Sequence, residues 1–190
     1  MKSPVRLHIL GASGSGTSTL GRAIAHELGI AHLDTDDFYW APSEVPFTVK
    51  HDIDDRLSML HAAFEKQPDW VLSGSLGSWG DPLIPLFTQV VFLYVPWDVR
   101  SNRLAARELA RYGQEAIAPG GVMHDVCREF IEWASRYDFA GVEQRSYALH
   151  DHWLGDLPES CRVMRIEDPA LSTALVSEIA RTAIDQLMLR

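Results

Sequence analysis

Gly11-Ala12-Ser13-Gly14-Ser15-Gly16-Thr17-Ser18-Thr19 follows an apolar run, Val5-Arg6-Leu7-His8-Ile9-Leu10. It precedes a helical pattern of Leu20, Ala23, Ile24 and Leu28 that stops at Gly29. The order is strand, glycine-rich turn, helix. Gly11 and Gly16 stand five positions apart, and Ser18 lies two further on. That is the phosphate-binding spacing G-x-x-x-x-G-K-[ST] at every marked position but one, where Thr17 replaces the lysine.

The residue types follow from what a polyphosphate needs. Many backbone N–H groups must converge on it. Glycine lets the chain curl tightly and approach without a Cβ in the way. The helix that follows adds unsatisfied N–H groups and a positive dipole end. The candidate nucleotide-binding residues are therefore Gly11, Ser13, Gly14, Ser15, Gly16, Thr17, Ser18 and Thr19, with the Ser18 hydroxyl placed for Mg²⁺. A lysine at position 17 would neutralise charge on a transferred phosphate. Losing one charge-stabilising donor costs on the order of 10²–10³ in rate. Another cation must take over, or the site binds nucleotide and turns it over poorly.

Two other readings compete. A flexible Gly/Ser turn is opposed by the strand before it and the helix after it. A dinucleotide loop, G-x-G-x-x-G, fits Gly14 and Gly16 but would place its third glycine at Thr19. Asp34 stands where a ribose-binding acid would, yet one helix later the chain departs from that fold.

The 190 residues suit one domain spanning 1–190, and the 46% hydrophobic content supports a sizeable core. A net charge of -9 lacks the basic footprint of a nucleic-acid binder. The lysines are only Lys2, Lys50 and Lys66, so arginines must supply the cations at an anion site. Cys127 and Cys161 show no metal or redox spacing and read as free thiols in a reducing cytoplasm. No signal peptide or membrane span is expected, and no motif specifies an oligomeric state.

Strands are expected at 5–10, 30–34, 70–73, 90–95 and 161–166, and helices at 17–28, 52–67, 97–112, 124–137, 142–154 and 170–189. Their alternation predicts an α/β fold, a parallel sheet covered on both faces. Asp34-Thr35-Asp36-Asp37-Phe38-Tyr39-Trp40 brings acids and aromatics to the end of the second strand, as a polar ligand site requires. The 52–67 helix places Ile53, Leu57, Leu60 and Phe64 on one face, while Lys50 and Arg56 near its start are candidates for a substrate anion. After the third strand, Ser75 and Trp79 are candidate pocket residues. Arg100, Arg103, Arg107 and Arg111 share one side of the 97–112 helix. Residues 113–121 read as a short lid with a hinge at Pro119-Gly120-Gly121. Arg128, Arg136 and Arg145 are further cations. His150-Asp151-His152 does not read as a metal site, because residues i and i+2 of a helix do not share a face.

On these residues the chain resembles the P-loop kinases of the adenylate-kinase-like group, which includes nucleoside monophosphate, shikimate and gluconate kinases. The resemblance covers nearly the whole chain and is most specific at residues 11–19. It implies the three-layer P-loop fold with a five-stranded parallel sheet, a substrate segment at about 36–67 and a lid at about 112–124. Asp34-Thr35-Asp36 is similar to the D-x-D of shikimate kinases, whose first acid helps hold Mg²⁺ and whose second holds substrate. The segment Asp36-Asp37-Phe38-Tyr39 is similar to one in uridine-type nucleoside kinases, where an acid accepts a hydroxyl proton. Lid and helix arginines hold phosphates in the group, which points to Arg103, Arg107 and Arg111, with Arg136 as a further candidate. Two positions depart from the pattern. Thr17 replaces the lysine, and the third strand ends in Ser73 where a Walker B acid would stand, leaving Ser18 and Asp34 for the metal.

The expected activity is transfer of the γ-phosphoryl of Mg-ATP to a small metabolite in the cytoplasm. Asp36 would be catalytic, orienting an acceptor hydroxyl or accepting its proton, and Asp34, Asp36, Tyr39, Trp40, Lys50, Arg56, Ser75, Trp79 and Arg136 would form the acceptor side. One or more of Arg103, Arg107 and Arg111 would replace the lysine as the loop closes. No nucleic acid or membrane partner is expected. The competing expectation, favoured by Thr17, is a module that binds ATP without transferring phosphate.

Overall fold

The computed structural model describes residues 4–167 and 173–188. Its strands are β1 (Arg6–Gly11), β2 (Ala31–Asp34), β3 (Trp70–Ser73), β4 (Gln89–Tyr94) and β5 (Arg162–Glu167). They form one sheet in the order β2-β3-β1-β4-β5, and every pairing is parallel. Ile9 of β1 pairs with Ser73 on one side and Val91 on the other. The first strand is therefore central, and the chain leaves it where the connections diverge to either side. Such a divergence opens a crevice at the carboxyl ends of the strands.

Strand residues alternate between two cores. Leu7, Ile9, Val91 and Leu93 pack with Leu20 and Ile24 of α1 (Thr17–Leu28) and Ala180 and Ala183 of α8 (Thr173–Met188). Leu10, Val90 and Phe92 enter the opposite core with Trp70, Phe87 and Trp153. Each fully buried aliphatic side chain contributes about 1.5–3 kcal/mol. Burial on both faces is what apolar, non-alternating strands require. The expected α/β fold, a five-stranded parallel sheet with helices on both faces, is the observed one.

The remaining helices are α2 (Asp36–Tyr39), α3 (Ile53–Phe64), α4 (Trp97–Tyr112), α5 (Gln114–Ile117), α6 (His124–Ser135) and α7 (Tyr147–Gly155). Three details differ from expectation. The 142–154 helix begins only at Tyr147, because Ser146 is extended and caps it, accepting from Leu149 N–H at 2.9 Å. The Ser146 hydroxyl in turn donates to the Gly141 carbonyl at 2.6 Å, closing the preceding loop. Ile53, expected on the apolar face of α3, is half exposed, whereas Leu60 is fully buried. A 3-10 turn, Asp81–Leu86, follows the third strand unannounced, driven by Pro82 and Pro85. Of the closing helix expected at 170–189, residues 170–172 and 189 lie outside the described residues. Among the described residues no helix is long and apolar enough to cross a membrane.

Candidate functional site

Three strand ends build the site. After β1 the chain curls into a cradle. A Cβ on Gly11 would sit 2.4 Å from the Leu93 carbonyl oxygen, so only glycine lets the loop leave between β1 and β4. Gly14 (φ 82°) and Gly16 (φ 100°) occupy the left-handed region that side chains disfavour. Gly16 is also the N-cap of α1, so the helix N-terminus opens directly from the loop. The cradle borders a cavity of about 510 Å³ that Ser13, Thr17, Ser18 and Thr19 line together with Arg22, Asp34 and Asp36. Ser15 is fully buried, and its hydroxyl has no hydrogen-bond partner among the described residues.

Asp34 ends β2 in register with Ser73 of β3. The Ser73 hydroxyl lies 3.3 Å from Asp34 Oδ2 and 2.8 Å from His32 Nε2. The carboxylate missing from the end of β3 is thus supplied one strand over, at the same height. Ser18 and Asp34 line the same cavity. Among the described residues no group of three or more His, Cys, Asp or Glu side chains is arranged to hold a metal. The donor set of one hydroxyl and one carboxylate suits a Mg²⁺ that keeps several waters and takes its other oxygens from phosphates.

Asp36 begins α2 and borders both this cavity and a second one of about 610 Å³. Burial raises its pKa above the ordinary carboxylate value, while Arg145, Arg107 and the Trp40 indole oppose the rise. A carboxylate shifted this way is suited to accept a proton. The second cavity is walled by Tyr39, Trp40, Phe47, Trp79, Phe130 and Trp133, with Lys50, Arg107 and Arg111 among them. Lys50 pairs across the 41–49 loop with Trp40 and lies 5.6 Å from the Tyr39 ring centre.

The structure does not bring every expected residue to these walls. The Arg56 guanidinium stacks 4.0 Å from the Tyr39 ring centre and donates to the His51 carbonyl at 2.7 Å, so it buttresses an aromatic wall from behind. Arg136 is exposed, paired with Glu132 on α6, and outside the walls of both cavities. Of the expected lid, Tyr112 lines the larger cavity, but residues 113–124 line neither. They fold into α5 and a turn held by Met123 N–H on the Ala116 carbonyl and His124 Nδ1 on the Ile117 carbonyl.

The arginines of α4 do different things. Arg100 is fully buried and holds the Val95 carbonyl and Asp138, at 2.7 and 2.8 Å. Arg103 lines the cradle cavity and donates to the Gly14 and Ser15 carbonyls at 3.3 and 3.2 Å. Arg107 and Arg111 line both cavities but share the buried carboxylate of Glu108, at 3.1 and 3.5 Å.

The sequence offered Arg145 only as a spare cation, and it missed Glu108 and the His150–Tyr137 pair behind Ser75. Arg145 reaches both cavities and lies 3.5 Å from the Ser13 hydroxyl. In the sequence it stood only among the spare cations, with Arg128 and Arg136. Glu108 was hidden as one more charge on a charged helix. Ser75, an expected pocket residue, is backed by an unexpected buried chain: its hydroxyl meets His150 Nε2 at 2.9 Å, and His150 Nδ1 meets the Tyr137 hydroxyl at 2.8 Å. Burial holds the His150 pKa down to about 3, so the imidazole in this chain is neutral.

No protein-family model matches the sequence. Among solved structures, the chain superposes on a shikimate kinase from Acinetobacter baumannii in complex with shikimate with a TM-score of 0.56, at 15% identity over 98% of this chain and 94% of that one. A gluconokinase from Sinorhizobium meliloti 1021 gives a TM-score of 0.52, at 20% identity over 99% of this chain and 95% of that one. These likenesses establish the P-loop kinase fold. In sequence, the uncharacterized protein YqaC of Bacillus subtilis (strain 168) is 49% identical over 162 residues, 85% of this chain and 88% of that protein. The chain therefore belongs to the same protein family as YqaC.

Proposed function

We propose that the protein transfers the terminal phosphoryl group of Mg-ATP to a small-molecule acceptor. The observation that carries this reading is the place of Asp36, a carboxylate with a raised pKa that borders both the glycine cradle and the aromatic cavity beside it. Phosphoryl transfer is mainly positioning and charge neutralisation, and those are the resources these residues supply. Mg-ATP would bring the phosphoryl group and the charge of its metal ion. Loop N–H groups from Ser13 to Thr19 would hold the phosphates, and Ser18 and Asp34 the metal. Asp36 would orient the acceptor hydroxyl and take its proton. Tyr39, Trp40 and Trp79 favour a flat or ring-shaped acceptor, such as a nucleoside, a nucleotide or a sugar acid. Lys50, Arg107 and Arg111 favour one that carries an anionic group. Both cysteines are buried free thiols, which supports a reducing, cytoplasmic setting.

Thr17 favours a second reading, a module that binds ATP without transferring phosphate. Labelled ATP offered with a panel of nucleosides, nucleoside monophosphates and sugar acids separates the two. Label moving to one acceptor class, and lost in Asp36→Asn with ATP binding kept, supports transfer. Tight ATP binding with no labelled acceptor, in this chain and in Thr17→Lys, supports the binding module.

A further inference from the structure

We propose that Arg145 supplies the positive charge that Thr17 leaves missing, gripping the terminal phosphoryl group of a bound nucleoside triphosphate where the two cavities meet. This rests on the nucleotide-binding reading of the cradle.

Position is the first argument. Thr17 lines the cradle cavity, so an amine carried on a longer side chain there would enter that space. The Arg145 guanidinium lies within the same walls, 3.5 Å from the Ser13 hydroxyl of the loop, and also borders the aromatic cavity. It is the meeting point of the two cavities that a transferred group must occupy.

Availability is the second. Arg107 and Arg111 spend part of their charge on buried Glu108. Arg103 is turned toward the Gly14 and Ser15 carbonyls. Arg145 makes no ion pair with any described residue within 4.0 Å; the strongest acidic influence on it is Asp36. Burial works against its charge, and an arriving polyanion would relieve that cost.

Preorganisation is the third. Arg145 immediately precedes the Ser146 cap of α7, whose hydroxyl ties the turn to Gly141. The guanidinium lies 5.3 Å from the Trp133 ring centre. Held this way, it needs no lid closure to face the loop, and little side-chain entropy remains to be lost on binding. A guanidinium also forms paired hydrogen bonds with phosphate oxygens.

The test is calorimetric titration of the full chain with ATP and with ADP, each with magnesium. The unaltered protein should bind ATP more tightly than ADP. Arg145→Gln should weaken ATP by about 10–100-fold, the loss of charged hydrogen bonds, and leave ADP within about twofold. Arg145→Lys should keep much of the ATP preference, and Thr17→Lys should restore it in the Arg145→Gln background. Unchanged ADP affinity shows that each variant is folded. An Arg145→Gln protein that still prefers ATP as strongly as the unaltered chain overturns the proposal. So does equal affinity of the unaltered protein for ATP and ADP. Absence of binding to either nucleotide would overturn the cradle reading itself, a different and recognisable result.

Discussion

The Ser73 hydroxyl donates to Asp34 Oδ2 at 3.3 Å, across the register that pairs the ends of β2 and β3. The pairing sets the acid where a metal beside Ser18 would feel it. Asp34→Asn should therefore weaken Mg²⁺ in the nucleotide complex by about 10–100-fold, as loss of an outer-sphere ligand does. Titrating magnesium at fixed ATP measures this. An unchanged magnesium midpoint would remove Asp34 from the metal site.

Asp36 should govern the pH profile of any transfer. Its folded pKa is raised by burial, so the acid limb of the rate should lie above that of an ordinary aspartate. Arg145 is the largest opposing influence, and Arg145→Gln should move the limb further up. Asp36→Asn should cost about 10²–10⁴ in rate. Because a raised carboxylate pKa makes the charged form a burden to the fold, that variant should melt no lower than the parent at pH 7. An acid limb indifferent to Arg145 would separate the two groups.

His8 and His150 should make the protein acid-sensitive. Burial lowers their folded pKa values to about 4 and about 3, from 6.5. The unfolded chain then binds protons that the folded one refuses, so stability is full above about pH 6.5 and falls as pH drops toward 4. Each histidine contributes about 1.4 kcal/mol per pH unit in that window. His8→Leu should remove about half of the slope in urea unfolding. A slope that is the same in both proteins would mean His8 is not excluded from protonation by burial.

Arg100 should matter to the fold and not to the ligand. It is fully buried, lines neither cavity, and joins the end of β4 to the turn after α6 through Val95, Ala134 and Asp138. Arg100→Ala should cost about 3 kcal/mol or more, the usual penalty for breaking a buried pair. Where the variant remains folded, ATP affinity should be unchanged. A selective loss of ATP affinity would show that Arg100 belongs with the other arginines of its helix after all.

The glycine loop, the alternation of strands and helices, and Asp34 and Asp36 after the second strand were all legible in the order of residues. They are local features. A glycine spacing, an apolar run or a helical period needs only neighbours a few positions away to express itself. The fourfold arginine pattern on α4 was equally legible, but not the division of labour within it. One side of a helix meets the sheet at one end and overhangs the site at the other, and the pattern alone does not say which residue meets what.

Contacts between distant parts of the chain decided the rest. Arg145 meets Ser13 across 132 positions, and His150 backs Ser75 across 75. Arg56 and Arg136, equally plausible as cations on paper, were carried away from the cavities by a Tyr39 ring and a Glu132 carboxylate. A long charged side chain has many acceptable partners, and which one it finds depends on the surfaces that packing sets beside it. Residue order thus specified a glycine loop with Thr17 at its seventh position, and folding determined which guanidinium came to stand near it.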